Sequence, residues 1–358
     1  MDDTTTEQLP AFLRRRNGRL EMVLSATGLE SWSKCQTQFG YSHDVGIESS
    51  APKAAMNFGK AVHEAMAMRF TWEMASPAPM AMLEIAQRDC LTAYFDANPQ
   101  PADEYRNAGR AMELIAAFNA AYPAFDWQVL GVEEKFEVEV GEVRMLVTHN
   151  DEARNYTQPV PVFFRGIKDL VVASHNGLWV VDWKTTKDWS ADRSTNRNLL
   201  AGKRKFQFRA YAWAEREAQR KGQDTSTPSM GQQLYHIGPR ATLPVLGTVG
   251  FWLVCRPPYV RPPAKPTPRE EFHQEEFAFA DWQLDEWRTS FLDKAAAILR
   301  AWSTRNYDMA DGDACGFNGR CPFYDICETR PADRMALIAS GNDYQPRTRI
   351  EDVAESVE

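Results

Sequence analysis

Apolar residues recur at helical spacing through much of the first third of the chain, predicting helices at Leu24 to Phe39, about Ala54 to Trp72, Ala81 to Phe95 and Ala102 to Ala121. The first carries Thr27 with Glu30 three residues on, a capping-box pattern, and Cys35 near its end. From Trp127 the period changes to alternation. Val129, Val132, Phe136, Val138 and Val140 predict strands, followed by another at Val143 to Thr148. Val162 to Ala173 and Leu178 to Lys184 flank His175-Asn176-Gly177, and Asn-Gly is the favoured centre of a tight hairpin turn. Leu199 to Arg220 returns to a helical period, and Gly231 to Ile237 and Val245 to Cys255 read as strands. Pro257 to Pro268 holds six prolines and can be neither helix nor central strand, so it is expected as an extended loop. Asp281 to Thr304 is again helical, and the charged tail from about Asn342 is expected to be disordered.

This order predicts an α/β fold in one elaborated domain. Residues 1–23 form an N-terminal extension. Residues 24–330 form the domain, with a helical part (24–125), a sheet core (126–256), a proline-rich loop (257–280) and a closing helix with a cysteine cluster (281–330), and 331–358 form a tail. No apolar run approaches the roughly 20 residues that span a bilayer, and Met1 to Leu20 lacks a signal-peptide core, so a soluble, cytoplasmic protein is expected. The net charge of −8 argues against binding nucleic acid through the overall field. Local basic runs remain: Arg14 to Arg16, Lys203-Arg204-Lys205 with Arg209, and the stretch from Arg256 to Arg269.

With Asn176 and Gly177 as turn centre, Asp169 faces Lys184 and Val171 faces Asp182 across the hairpin. Opposed side chains stand about 5 Å apart at Cβ, so two carboxylates and an ammonium converge. Hard divalent cations take oxygen ligands of this kind, and a lysine beside them can steady charge growing on a phosphoryl oxygen. The plainer alternative is a surface salt bridge on an amphipathic hairpin.

The wider pattern separates the two. Gly166-Ile167-Lys168-Asp169, then Val181-Asp182-Trp183-Lys184-Thr185-Thr186, then Gln207-x-x-x-Tyr211 resembles the PD-(D/E)XK nuclease superfamily in its RecB-like branch. The resemblance implies a restriction-endonuclease-like mixed sheet flanked by helices, with a helical N-terminal segment. It implies Asp169 and Asp182 as metal ligands, Lys184 as the catalytic lysine, and Gln207 and Tyr211 beside the site. Two further matches lie upstream: Phe58-Gly59-x-x-x-His63, implying His63 as an extra ligand, and Glu134 in Val132-Glu133-Glu134-Lys135-Phe136. Glu133 takes that place if the strand register slips by one, because neighbouring residues of a strand face opposite sides. The backbone carbonyl of Trp183 completes the implied metal set.

Cys315-x5-Cys321-x5-Cys327, with Cys35 far upstream, resembles the split iron–sulfur motif of AddB-type and CRISPR-associated RecB-like nucleases. The spacing Cys321-Pro322-x4-Cys327 follows that pattern, whereas five residues between Cys315 and Cys321 stand where two are usual. Thiolate-only ligation suits iron–sulfur or zinc, and paired CxxC knuckles typical of zinc are absent. Cys90 and Cys255 fit no such pattern and are expected as buried small apolar residues.

The resemblance implies a Mg²⁺- or Mn²⁺-dependent deoxyribonuclease carrying a 4Fe-4S cluster, acting on single-stranded DNA from an end in recombination or repair. Lys203, Lys205 and Arg209 are candidates for the DNA backbone. No G-x-x-x-x-G-K-[ST] loop is present, so duplex unwinding would fall to a helicase partner. The alternative from another class is a non-cleaving iron–sulfur scaffold subunit of a helicase–nuclease complex.

Overall fold

A computed structural model describes residues 9–50, 54–75, 79–99, 106–147, 156–186, 196, 206–223, 242–255, 270–310, 315–316, 320–341 and 343–347. The elements run β1 (Leu13–Arg16), β2 (Arg19–Ser25), α1 (Ala26–Lys34), α2 (Gln36–Phe39), a wider turn (Gly40–Val45), β3 (Ile47–Ser49), α3 (Ala54–Ala75), α4 (Met80–Ala97) and α5 (Ala108–Ala121). There follow β4 (Gln128–Val147), β5 (Tyr156–Ala173), β6 (Leu178–Thr186), α6 (Phe206–Gln223), β7 (Val245–Cys255), β8 (Glu270–Ala278) and α7 (Asp281–Thr304). Short pieces end the chain: α8 (Tyr324–Glu328), a 3₁₀ turn, α9 (Arg334–Ala339) and β9 (Tyr344–Pro346).

Seven strands form a mixed sheet in the order β1-β2-β5-β6-β7-β8, with β4 paired to β5, while β3 and β9 make a separate ribbon. Strand β2 runs parallel to β5 and β6 parallel to β7, and the other ordered pairs are antiparallel. Helices flank this sheet, the mixed α/β architecture of a restriction-endonuclease-like fold. No helix among the described residues is long and apolar enough to cross a membrane.

The chain divides into two compact units. The larger comprises residues 52–136 and 167–287. Its core is a helix stripe against strands. Phe58, Ala61, Val62, Ala65, Met66 and Phe70 recur along one side of α3, and they pack with Leu114 and Phe118 of α5 against Leu170, Val181, Trp183 and Phe251. Each large apolar side chain so buried contributes about 1.5–3 kcal/mol. Trp183 anchors this packing, its ring stacked on Phe70 at 5.4 Å and edge-on to Phe118 at 5.8 Å. The smaller unit comprises residues 1–51, 137–166 and 288–358. It holds β1, β2, α1 and a satellite core of Ile47, Phe323, Ile326 and Tyr344.

Several sequence expectations change. Residues ahead of Leu24 supply two sheet strands, because Leu13, Leu20, Met22 and Val23 bury their side chains there. The helix expected over Leu24 to Phe39 is two, broken at Cys35, and its cap is Ser25, whose Oγ accepts from the Gly28 N–H at 3.1 Å. Part of the tail after Asn342 is strand β9, paired with β3 through Ser49↔Tyr344. Strand β8 arises where a loop was expected to extend to residue 280. Close β7–β8 pairing there demands Gly247, since a Cβ would lie 2.0 Å from the Phe277 carbonyl oxygen. The predicted strand Gly231 to Ile237, the proline-rich run and the start of the Leu199 helix lie outside the described residues.

Candidate active site

The site begins at the hairpin, whose register differs from expectation. Strands β5 and β6 pair through Leu170↔Val181, Val171↔Val180, Val172↔Trp179 and Ala173↔Leu178, two residues away from the expected pairing. The Ser174 N–H donates to the Gly177 carbonyl at 2.9 Å, so His175 and Asn176 make the turn. Gly177 serves packing instead: a Cβ there would lie 2.6 Å from the Pro244 carbonyl oxygen, beside the chain entering β7. A shift of two leaves every side chain on its expected face, because the period of a strand is two. Beyond Leu170, the Trp183 N–H donates 2.8 Å to Oδ2 of Asp169, so this carboxylate is tied directly to the neighbouring strand.

Helix α3 brings His63 to the same place. Its Nδ1 lies 3.5 Å from Asp169 Oδ2, and its Nε2 lies 2.9 Å from the Trp183 carbonyl oxygen. Glu133 of β4 completes a group in which His63, Glu133 and Asp169 each offer a ligand atom within 4.8 Å of the others. Burial pushes His63 toward neutrality, but Asp169 outweighs it and raises the imidazole pKa above its usual value. Burial would raise Asp169; the charges of His63 and Lys184 and the Trp183 N–H together hold it below the usual carboxylate range. Loss of solvation, followed by repulsion from Asp169, pushes the Glu133 carboxyl up to about 7. One imidazole and two carboxylates in mutual reach could hold a divalent cation.

Glu134, expected to orient the site, is turned toward Lys168. Its Oε1 lies 3.4 Å from Nζ of Lys168, a fully buried ammonium that also pairs with buried Glu215 of α6 and sits 5.2 Å over the Phe136 ring. The reason is local: Glu133 has φ of 46°, a left-handed conformation costly for a residue with a side chain, and it breaks the simple alternation of β4. Nothing in the pair Glu133-Glu134 signals that kink, and the buried Lys168 was equally unmarked.

Asp182 and Lys184 form a second group on β6. The Lys184 ammonium lies 2.6 Å from Asp182 Oδ2, and Gln207 Nε2 donates to Asp182 Oδ1 at 3.0 Å. Gln207 also donates to the Tyr211 hydroxyl at 3.1 Å, and Tyr211 packs edge-on to Phe136. The Asp182 carboxylate is 1% exposed while the Lys184 side chain keeps 25%, so the lysine is the member that meets solvent. Arg209, between Gln207 and Tyr211 on the same helix, points to the Phe279 ring and to Glu286 at 3.6 Å. Lys203 and Lys205 lie outside the described residues.

In the other unit, Cys35 sits at the break between α1 and α2, where its sulfur accepts from the Gln38 N–H at 3.4 Å. The Cys321 N–H donates to the Cys315 carbonyl at 2.7 Å, and Cys327 lies on α8. Burial, then the charges of Cys321, Cys35 and Cys315, push the Cys327 thiol up to about 11 against the pull of Arg334. The four cysteines are thus electrostatic neighbours. Among the described residues, only His63, Glu133 and Asp169 bring three such ligand atoms within 4.8 Å. Cys90 is half-buried, and Cys255 has no described side chain.

The PD-(D/E)XK nuclease superfamily matches residues 23–328, a span holding every one of these groups. The chain belongs to that superfamily. No curated protein matches the sequence.

Proposed function

We propose that the chain is a metal-dependent deoxyribonuclease of the RecB-like branch, hydrolysing single-stranded DNA from an end. The observation that carries the reading is the meeting of His63, Glu133 and Asp169 in the unit where Asp182, Lys184 and Gln207 are joined. A bound Mg²⁺ or Mn²⁺ would supply Lewis-acid polarisation of the phosphoryl oxygen and acidify an attacking water. Glu133, Asp169 and His63 would hold it, with Asp182 and the Trp183 carbonyl as the further candidates. Lys184 meets the negative charge that grows on the phosphoryl oxygens, at the position its contact with Asp182 sets. Gln207 fixes the Asp182 carboxylate, and Tyr211 backs Gln207.

Cys35, Cys315, Cys321 and Cys327 would bind a 4Fe-4S cluster, with recombination or repair and a helicase partner as the setting. Tetrahedral zinc at about 2.3 Å from each sulfur requires sulfurs about 3.8 Å apart. The chain lacks the paired CxxC knuckles usual at such zinc sites, which favours the larger cluster. The raised thiol pKa values of Cys321 and Cys327 are no obstacle, since metal binding drives off the thiol proton. Lys203, Lys205 and Arg209 would steady the DNA backbone.

The test is degradation of end-labelled single-stranded DNA with Mg²⁺ or Mn²⁺ and then with EDTA, by the wild-type chain and Asp182→Ala. Metal-dependent loss of label that disappears in the variant is expected. Equal loss in both would reject the site, and cutting of circular DNA as fast as linear would reject an exonuclease. Iron and sulfide in anaerobically purified protein, lost in Cys327→Ala, test the cluster; zinc in their place would reject it.

A further inference from the structure

The hairpin of β1 and β2 carries a concentration of charge that the carboxylate centre does not use. From Pro10 to Leu20 the chain holds four arginines and no acidic residue, in a protein whose net charge is −8. The strands pair through Leu13↔Met22, Arg14↔Glu21, Arg15↔Leu20 and Arg16↔Arg19, which leaves Asn17 and Gly18 as a two-residue loop. Both loop residues have positive φ, 52° and 76°, the tight type I′ turn whose twist matches that of paired strands. A Cβ added at Gly18 would have nothing within 4 Å, so the tip stands in the open.

The four arginines divide into one that is engaged and three that are not. The Arg14 guanidinium is held at 2.8 Å by Glu21 and at 2.6 Å by Glu137, and lies 5.2 Å over the Phe163 ring, so it fastens the root of the hairpin. Arg15, Arg16 and Arg19 are exposed, and their side chains have no partner among the described residues. Arg16 and Arg19 stand directly opposite each other, an arrangement in which like charges repel and weaken the pairing. Strand β1 borders the sheet, and charge on a border strand discourages unwanted pairing. That need is met by charge of either sign, and it gives no reason for a like-charged pair across the turn. The repulsion is offset when a polyanion lies across the tip. Arginine's planar fork matches phosphate oxygens, and contacts of this kind position a strand without reading its bases. The tip, Arg15-Arg16-Asn17-Gly18-Arg19, has no apolar side chain, and the flanking Leu13 and Leu20 are buried, so it has nothing to insert into a membrane surface.

We propose that this hairpin tip is a docking surface for the phosphate backbone of DNA, held by Arg15, Arg16 and Arg19 without regard to base sequence. DNA as the partner rests on the proposed nuclease function, whereas docking at the tip requires neither metal nor cleavage.

The test is fluorescence anisotropy of the full chain with a labelled oligothymidylate and a labelled DNA duplex, in EDTA, over a range of salt. Changing Arg15→Gln, Arg16→Gln and Arg19→Gln together should flatten the slope of log K against log salt by about 2 on the single strand and lower the affinity roughly 100-fold at about 0.1 M salt. Lysine at the same three positions keeps the charge and should keep the slope. Neither variant should melt below the wild type. Loss on either form of DNA bears out the proposal, and the form with the larger loss is the one that docks. Failure of the wild type to bind either DNA, an unchanged slope or a lower melt in the glutamine variant, an equal loss in the lysine variant, or attachment to phosphatidylserine vesicles in place of DNA would each overturn it. A chain that docks DNA through the tip yet cuts none would reject the nuclease reading and leave this proposal standing; a chain that cuts DNA but keeps its slope in the glutamine variant would do the opposite.

Discussion

At the carboxylate centre, long regular elements hold the groups: the 22-residue α3 carries His63, strands β5 and β6 carry Asp169, Asp182 and Lys184, and α6 carries Gln207. In the cysteine region the thiols sit at a helix break and around the five-residue α8. A regular element fixes both spacing and face, so the first group is aligned by packing alone. The second has a satellite core of four buried residues, and its thiols lie on short elements and at their ends. A contrast of the same kind separates two lysines of the larger unit. Lys168 is sealed between Glu215 and Glu134, whereas Lys184 keeps a partly exposed side chain beside Asp182.

The sharpest way to break the comparison is Lys184→Ala, which should lower the cleavage rate on the order of 10²–10³-fold with an unchanged melt, as for other groups that meet transition-state charge. Lys168→Met should do the reverse: it strands a buried carboxylate and should cost about 3–5 kcal/mol of stability by urea unfolding, most of it recovered by adding Glu215→Leu. A loss in Lys168→Met too small to measure would show that the pair is not sealed. Glu133→Gln should weaken Mn²⁺ binding by about 10–100-fold by calorimetry, while Glu134→Gln leaves it within about threefold. Equal losses in the two would return Glu134 to the site.

The smallest effect concerns His43 in the smaller unit. Burial, then the charges of Arg347 and Arg165, hold its folded pKa at about 3, below the unfolded value near 6.5, so the unfolded chain takes up the proton first. Its contribution to stability is therefore complete above about pH 6.5 and is lost as pH falls toward 3, with a slope of at most about 1.4 kcal/mol per pH unit. Between pH 7 and 5 the wild type should lose about 1–2 kcal/mol more than His43→Gln. Identical pH profiles would mean that His43 is not held neutral.

Much of the site could be read without coordinates. The stripe on α3 and the alternation on β6 set which residues share a side, and a pairing error of two residues could not change that. Other features escaped for physical reasons. The two N-terminal strands are short and the first is mostly arginine, so their alternation is weak until β5 pairs with β2. Gly177 looked like a turn residue but answers a close approach by Pro244. Glu133 and Glu134 differ only through a backbone kink.

The sequence by itself determined the mixed α/β class and the elements that carry Asp169, Asp182, Lys184 and His63, because periodicity within one helix or one hairpin sets these, whereas the roles expected of those four residues came from the family pattern. The tertiary structure decided that Glu133 rather than Glu134 meets His63 and Asp169, and that Lys168 is enclosed. Those outcomes depend on contacts between residues far apart in the chain, and they are set by which surfaces close-pack, a property no local pattern carries.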